Sequence, residues 1–281
     1  MPRAETIARA PDTIEIVTIR PERAKRGWRP PRSLRRAAGP VAFLLLWYLA
    51  SATGLLPSDV LASPVDVVEQ GIDLMKDGEL PEAIFVSGKR VFTGFLVGGS
   101  AALALSLVAG LFRLGEDLVD ATVGMIRTIP WVGLIPLFII WFGIDEAPKV
   151  ALVAVGVAFP LYFNLYGGIR TVDTQLIEAG KALGLDRAGL IRHVILPGAL
   201  PSALVGLRYA LGNAWLALVF GETVNAVSGI GYLMNTAREN FLTDVLVLCL
   251  VVYAVLGLIS DFVVRSLGRY LLAWRSSFEG A

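Results

Sequence analysis

The chain has 281 residues, of which 55% are hydrophobic and only 17% charged, with a formal net charge of +1. A soluble domain carries about 25% charged residues, so this balance excludes an ordinary soluble fold and points to a polytopic membrane protein. A single cysteine, Cys249, excludes an intramolecular disulfide, and a single histidine, His193, excludes a histidine-based metal cluster.

Residues 1–37 read as a basic, arginine- and proline-rich tail, disordered and suited to anionic headgroups beside a membrane. Nucleic-acid binding is the competing use of such a tail, and no nucleic-acid partner is expected next to a membrane span. Residues 38–281 then read as one transmembrane domain, built from apolar runs near the ~20 residues that cross a bilayer.

The first run covers Pro40 to Leu56. The tail before it is too long for a cleaved secretory signal, so a retained anchor is expected. Residues 57–88 form an acidic external segment. Within it Val65, Val68, Ile72 and Met75 have the spacing of an amphipathic helix on the membrane surface, and Ser63-Pro64 reads as a turn. The second span, Val91 to Phe112, is lined by Gly94, Gly98, Gly99, Ala102, Ser106 and Gly110, small residues that let helices approach closely in lipid. The third, Leu118 to Gly143, holds Pro130 and Pro136, so a kink or break is expected. Asp145, Glu146 and Lys149 read as a short loop, and the fourth span runs from Val150 to Gly168.

A long polar-laced stretch follows, Asp173 to Pro201. Asp173 is positioned to cap a helix carrying Val172, Leu176, Ala179 and Leu183 on one face, and Gly184 to end it. Asp186 starts a second helix with Leu190, Ile191, Val194 and Ile195 on one face, which Pro197 and Pro201 are expected to stop. Lys181, Arg187 and Arg192 mark a charged face. The fifth span is expected over Ser202 to Val224, a loop over residues 225–243 with Ser228-Gly229-Ile230-Gly231, and the sixth span over Asp244 to Val264. The tail, the polar stretch and the C-terminus hold most of the basic residues. Lys76, Lys89, Arg90, Lys149 and Arg238 fall on the other side, and this bias places both termini and the polar stretch in the cytoplasm. The expected fold is thus all-α, with six transmembrane helices and a cytoplasmic helix–turn–helix between the fourth and fifth.

No G-x4-G-K-[ST] phosphate loop is present, nor a Ser/His/Asp or Cys/His set. Neither catalysis nor a cofactor is expected of this polypeptide. A lone intramembrane charge costs roughly 2.5–3.5 kcal/mol and normally faces a cavity or a partner. Arg127 and Arg208 lie within spans. They either line a path for an anion or are held structurally, by backbone carbonyls freed at Pro130 or by pairing with Glu222 or Asp120. Asn213 and Trp215 are weaker candidates for the same path.

Glu178-Ala179-Gly180, Gly184, Val194 and Leu196-Pro197 match the spacing E-A-A-x3-G-x9-I-x-L-P, with Gly180 in place of the third-place Ala and Val194 in place of Ile. The chain thereby resembles the permeases of ATP-binding-cassette importers, of the MetI-like type. Met125–Pro136, Leu137–Asp145, His193–Pro201, Val205–Leu211 and Ser228–Tyr232 are similar to the branch that imports aliphatic sulfonates, taurine and nitrate. The resemblance implies that Glu178, Ala179, Gly180, Gly184, Val194, Leu196 and Pro197 couple the chain to an ATPase subunit. It also implies a homodimer, two ATPase copies, a periplasmic binding protein, an inner-membrane location and alternating access, most closely for an aliphatic sulfonate. Taurine, nitrate or a cofactor precursor are the alternatives within the family, and an ATP-independent secondary transporter the alternative outside it.

Overall fold

The computed structural model describes residues 32–58 and 60–274. Most of the expected basic tail lies outside them. The first helix, α1 (Arg32–Ala52), begins before the expected boundary at residue 37 and runs through Pro40. A helix, α2 (Pro64–Lys76), starts where a turn was expected. Asp66 donates its backbone N–H to Ser63 Oγ at 3.2 Å, and the Asp66 carboxylate accepts from the Ser63 N–H at 3.1 Å. Pro64 sits in the first turn, where its missing N–H leaves no bond unmade. The stripe Val65, Val68, Ile72 and Met75 is exposed, while Val67 and Leu74 on the other face are buried.

Helix α3 (Glu79–Leu111) begins well ahead of Val91, so Lys89 and Arg90 lie inside a helix and not in an external loop. The expected third span is broken. Arg113–Ile126 (α4) and Trp131–Phe142 (α5) meet at 84°. Pro130 takes an extended ψ of 105° at the break, because its ring and missing N–H prevent the ladder from continuing. Pro136, by contrast, causes no kink, since it falls in the first turn of the α-helical part of α5.

The remaining helices are α6 (Glu146–Arg170), α7 (Thr174–Ala182), α8 (Arg187–Asn225), α9 (Ile230–Glu239) and α10 (Thr243–Leu271). Glu146 and Lys149, expected in a loop, form the first turn of α6. Among the described residues every element is helical. Helices α3, α6, α8 and α10 are long and apolar enough to cross a membrane; the bent α4–α5 pair makes a fifth candidate, and the apolar part of α1, Ala37–Ala52, is shorter.

The core is layered on α6, which packs along its length between α3 and α8. Lipid tails are as apolar as leucine, so close fit rather than water exclusion holds such helices together. Small residues supply that fit. A methyl group added at Gly94 would lie 2.6 Å from Val153 Cβ, one at Gly110 2.7 Å from Ile169 Cγ2, and one at Gly206 2.7 Å from Asn164 Cβ. Leu152, Val153 and Val157 of α6 meet Ala210, Ala214, Ala217 and Leu218 of α8 in one core. A second core joins α2, α9 and α10 through Val67, Leu74, Ile230, Ala237, Leu248 and Cys249.

Candidate functional site: coupling segment and intramembrane charges

The polar stretch folds as a compact hairpin of α7 and the start of α8. The Asp173 carboxylate accepts from the Gln175 N–H at 2.8 Å, and that of Asp186 from the Gly189 N–H at 2.8 Å. Each thereby satisfies an orphan donor of a helix start. Gly184 closes α7 with a φ of +84°, a conformation that L side chains rarely adopt. The N–H of Leu185 bonds the Gly180 carbonyl at 3.0 Å and that of Gly184 the Lys181 carbonyl at 2.9 Å, the paired closure that a left-handed residue permits.

One expectation for this stretch is corrected, and its apolar face is given an orientation. Leu176 and Leu183, expected on the apolar face, are exposed, Leu183 at 84%. The inward face is instead Ile177 and Gly180, one position round the helix, set against Leu190 and Ile191. Pro197 and Pro201 do not stop the second helix, which continues from Arg187 to Asn225. A wide turn over Ile191–Ile195, in which the Leu196 N–H reaches back to Ile191, comes just before Pro197 and carries the chain past the proline.

Of the motif residues, Glu178 and Ala179 are exposed, Gly180 is buried, and Val194 and Pro197 are half-buried. Leu196 remains 39% exposed. A methyl group at Gly180 would lie 2.8 Å from Leu190 Cδ2 and 3.4 Å from Val194 Cγ2, so the glycine lets Leu190 fill the space of the motif's usual alanine. Arg187 ties the hairpin to the membrane helices. Its guanidinium donates to the Leu111 carbonyl at 3.4 Å and lies 5.2 Å from the Phe112 ring. Nearby, Arg170 at the end of α6 pairs with Glu116 of α4 at 2.8 Å. His193 Nδ1 is 3.0 Å from the Gly189 carbonyl and is exposed.

The intramembrane arginines have different partners from those expected. Arg127 lies at the α4–α5 break with its guanidinium 4.5 Å from the centre of the Phe163 ring of α6. Arg208 of α8 pairs with Asp261 of α10, not with Glu222 or Asp120. The second Asp261 oxygen accepts from Arg265 at 2.8 Å. A cavity of about 530 Å³ between α8 and α10 is lined by Arg208, Tyr209, Asn213, Ser260 and Asp261 among apolar neighbours. Trp215 stands behind it, donating from Nε1 to Ser260 Oγ at 2.9 Å and packing edge-on to Tyr253. The structure therefore puts Arg208 and Asn213 on one cavity wall, has Trp215 fix Ser260 in that wall, and holds Arg127 on another helix.

Residues 94–272 match the family of binding-protein-dependent transport system inner membrane components. The chain belongs to that family. The permease is 46% identical over 240 residues to a provisionally named aliphatic sulfonates transport permease protein, SsuC, of Escherichia coli; the match covers 85% of this chain and 91% of that one. Its likeness to the SsuC protein of Bacillus subtilis, named with the same reserve, is 37% and spans all of both chains. It is 28% identical to the taurine transport system permease protein TauC of E. coli, over 92% of this chain and 96% of the other. The permease is accordingly a multi-pass, non-catalytic subunit of the inner membrane, and ATP hydrolysis belongs to a separate chain.

At the ends of the spans remote from the polar hairpin, the permease holds a polar cluster that sequence reasoning missed. Arg90 of α3 is 3% exposed and Glu222 of α8 fully buried. Arg90 Nη1 donates to Glu222 at 2.6 Å and to the Ser228 carbonyl at 2.7 Å, while Nε and Nη2 each reach Glu146 at 2.6 Å. Glu222 also accepts from Ser87, from the Gly231 N–H at 2.8 Å and from Tyr253 at 3.1 Å. Five elements meet here, with every group of the ion pair hydrogen-bonded. The available signal was an arginine and a glutamate, each beside an apolar stretch of a long helix. Buried charges of opposite sign need each other, but nothing in sequence separation pairs residue 90 with residue 222.

Proposed function

We propose that the permease imports small organic anions, aliphatic sulfonates first among them, as the membrane subunit of an ATP-driven importer. Two copies of the chain enclose the passage, two ATPase subunits sit on the cytoplasmic face, and a periplasmic binding protein delivers the substrate. The likeness to SsuC along the whole chain is the observation that carries the substrate class. The charge bias of the loops supports cytoplasmic termini and six crossings, with α1 and the bent α4–α5 pair completing the count.

The coupling hairpin is the ATPase-facing element. Its exposed Leu176, Ala179 and Leu183 form an apolar edge beside exposed Glu178, and water-exposed leucines at helical spacing fit a groove in a partner. The rest of the motif serves that edge: Gly184 turns the chain, Gly180 and Val194 seat α7 on the start of α8, and Leu196-Pro197 joins the hairpin to the span. Movement of the hairpin then passes through α8 and, by Arg187, to the end of α3. ATP binding draws the two hairpins together and opens the passage outward; hydrolysis returns it inward.

In proteoliposomes holding the whole complex, Glu178→Lys should cut sulfonate uptake and binding-protein-stimulated ATP hydrolysis by at least tenfold, with the permease still inserted. Unchanged coupling in that variant refutes the docking role. Uptake by the permease without any ATPase refutes the importer reading and favours an ATP-independent carrier. Taurine is the second substrate reading, on the strength of the TauC likeness; competition of taurine against an alkanesulfonate for uptake separates the two.

A further inference from the structure

The anion-import reading leaves open how the membrane subunit treats the charge of its cargo. Two guanidiniums, Arg208 and Arg265, flank one carboxylate, Asp261, and each takes a different carboxylate oxygen. The group therefore carries a net formal charge of plus one. Asp261 is mostly buried between its partners, whereas the arginine side chains are 53% and 56% exposed. Asp261 lies three residues before Val264, the expected end of the sixth span, and Arg208 six residues after Ser202, the expected start of the fifth, so the group sits at the hairpin-side end of both spans. A net positive charge on half-exposed guanidiniums attracts a compensating anion.

The cavity beside the group is of the right kind to hold that anion. At about 530 Å³ it accommodates a small molecule. Arg208 spends its Nε on Asp261, which leaves its terminal N–H donors for an oxyanion, the geometry guanidinium serves best. Asn213 and Ser260 add neutral polar groups, and Val205, Leu211 and Gly257 give an apolar wall for a carbon chain.

We propose that Arg208, Asp261 and Arg265 form a charge-counting site that passes monovalent organic anions and disfavours divalent ones. This rests on the import reading above and adds to it Asp261 and Arg265 as specificity-determining residues. Arg265 offsets Asp261, so that Arg208 is left to meet the cargo; Asp261 in turn keeps the site from carrying two uncompensated positive charges. One sulfonate neutralises the group. A second negative charge on the same molecule faces Asp261 with nothing to offset it.

The test is equilibrium binding of ethanesulfonate and ethane-1,2-disulfonate to the purified permease–ATPase complex by titration calorimetry. The wild-type complex should favour the monosulfonate by at least tenfold. Asp261→Asn, which raises the net charge to plus two, should tighten disulfonate binding about tenfold and erase the preference. Arg265→Gln, which brings the charge to zero, should weaken monosulfonate binding about tenfold. A damaged fold would weaken both probes in both variants, so the opposite shifts identify a charge effect. Wild-type binding of neither probe, or a preference that Asp261→Asn leaves in place, overturns the proposal. Stimulation of ATP hydrolysis by the sulfonate-loaded binding protein, measured on the same wild-type preparation, keeps the import reading separate: if it persists while the preference fails to move, only the charge-counting site is lost.

Discussion

Two groups of charges lie within the helices of this permease, and they are built on opposite plans. Around Arg90 and Glu222, side chains and backbone of five elements satisfy every polar atom of the pair, and both residues are buried. Around Arg208, Asp261 and Arg265, the carboxylate is claimed twice while the guanidiniums stay half-exposed beside a cavity. A closed group of this kind cannot exchange partners without exposing a bare charge. An open one can. The first therefore serves as a fixed joint for the helix ends remote from the coupling hairpin, and the second as a place where cargo can bind.

Removing one partner of the closed group gives the largest expected change. Glu222→Ala leaves Arg90 buried without its main counterion, and such a loss costs about 3–5 kcal/mol. The buried thiol of Cys249 offers the readout: in detergent, its reaction with a maleimide during heating should begin well below the wild-type temperature. The same onset in both proteins would mean that the cluster is dispensable. Gly229→Ala should come next. Its φ of +103° disfavours any side chain, and a methyl group there would fall 2.5 Å from Glu222 Oε1 and 2.6 Å from Arg90 Nη1. Strain of this type costs about 1–3 kcal/mol, read by the same assay. Glu146→Gln should cost about 1 kcal/mol or less, because Glu146 is 60% exposed and water screens its pairing. A loss as large as that of Glu222→Ala would show the joint to depend on its rim. Asp261→Asn should change stability least, within about 1 kcal/mol, despite its effect on anion choice. A large drop in its unfolding temperature would place the open group with the closed one and erase the contrast.

Sequence reasoning read the local geometry of the polar hairpin well because its signals are local. A capping aspartate and a glycine after the last helical residue each act within a turn of themselves, and the hairpin shows both. The break at Pro130 was legible for the same reason. The faces were not. Leu176 and Leu183 share a stripe with Ala179, and periodicity alone does not say what such a stripe faces; here Gly180 lets α7 approach α8 on the neighbouring face, so the leucines point outward. Pro197 and Pro201 misled. A proline ends a helix only when nothing accommodates it, and the wide turn before Pro197 does so here.

The amino-acid order by itself determined that this is an all-helical membrane protein, where its polar hairpin lies and where its third span breaks, because composition, capping and proline act through neighbours in the chain. Only the tertiary structure decided which charges meet. Arg90 and Glu222, or Arg208 and Asp261, are far apart in sequence and are joined by how α3, α6, α8 and α10 pack side by side. That packing depends on the depth of approach that residues such as Gly94, Gly110 and Gly206 allow, a quantity set between helices and not along them.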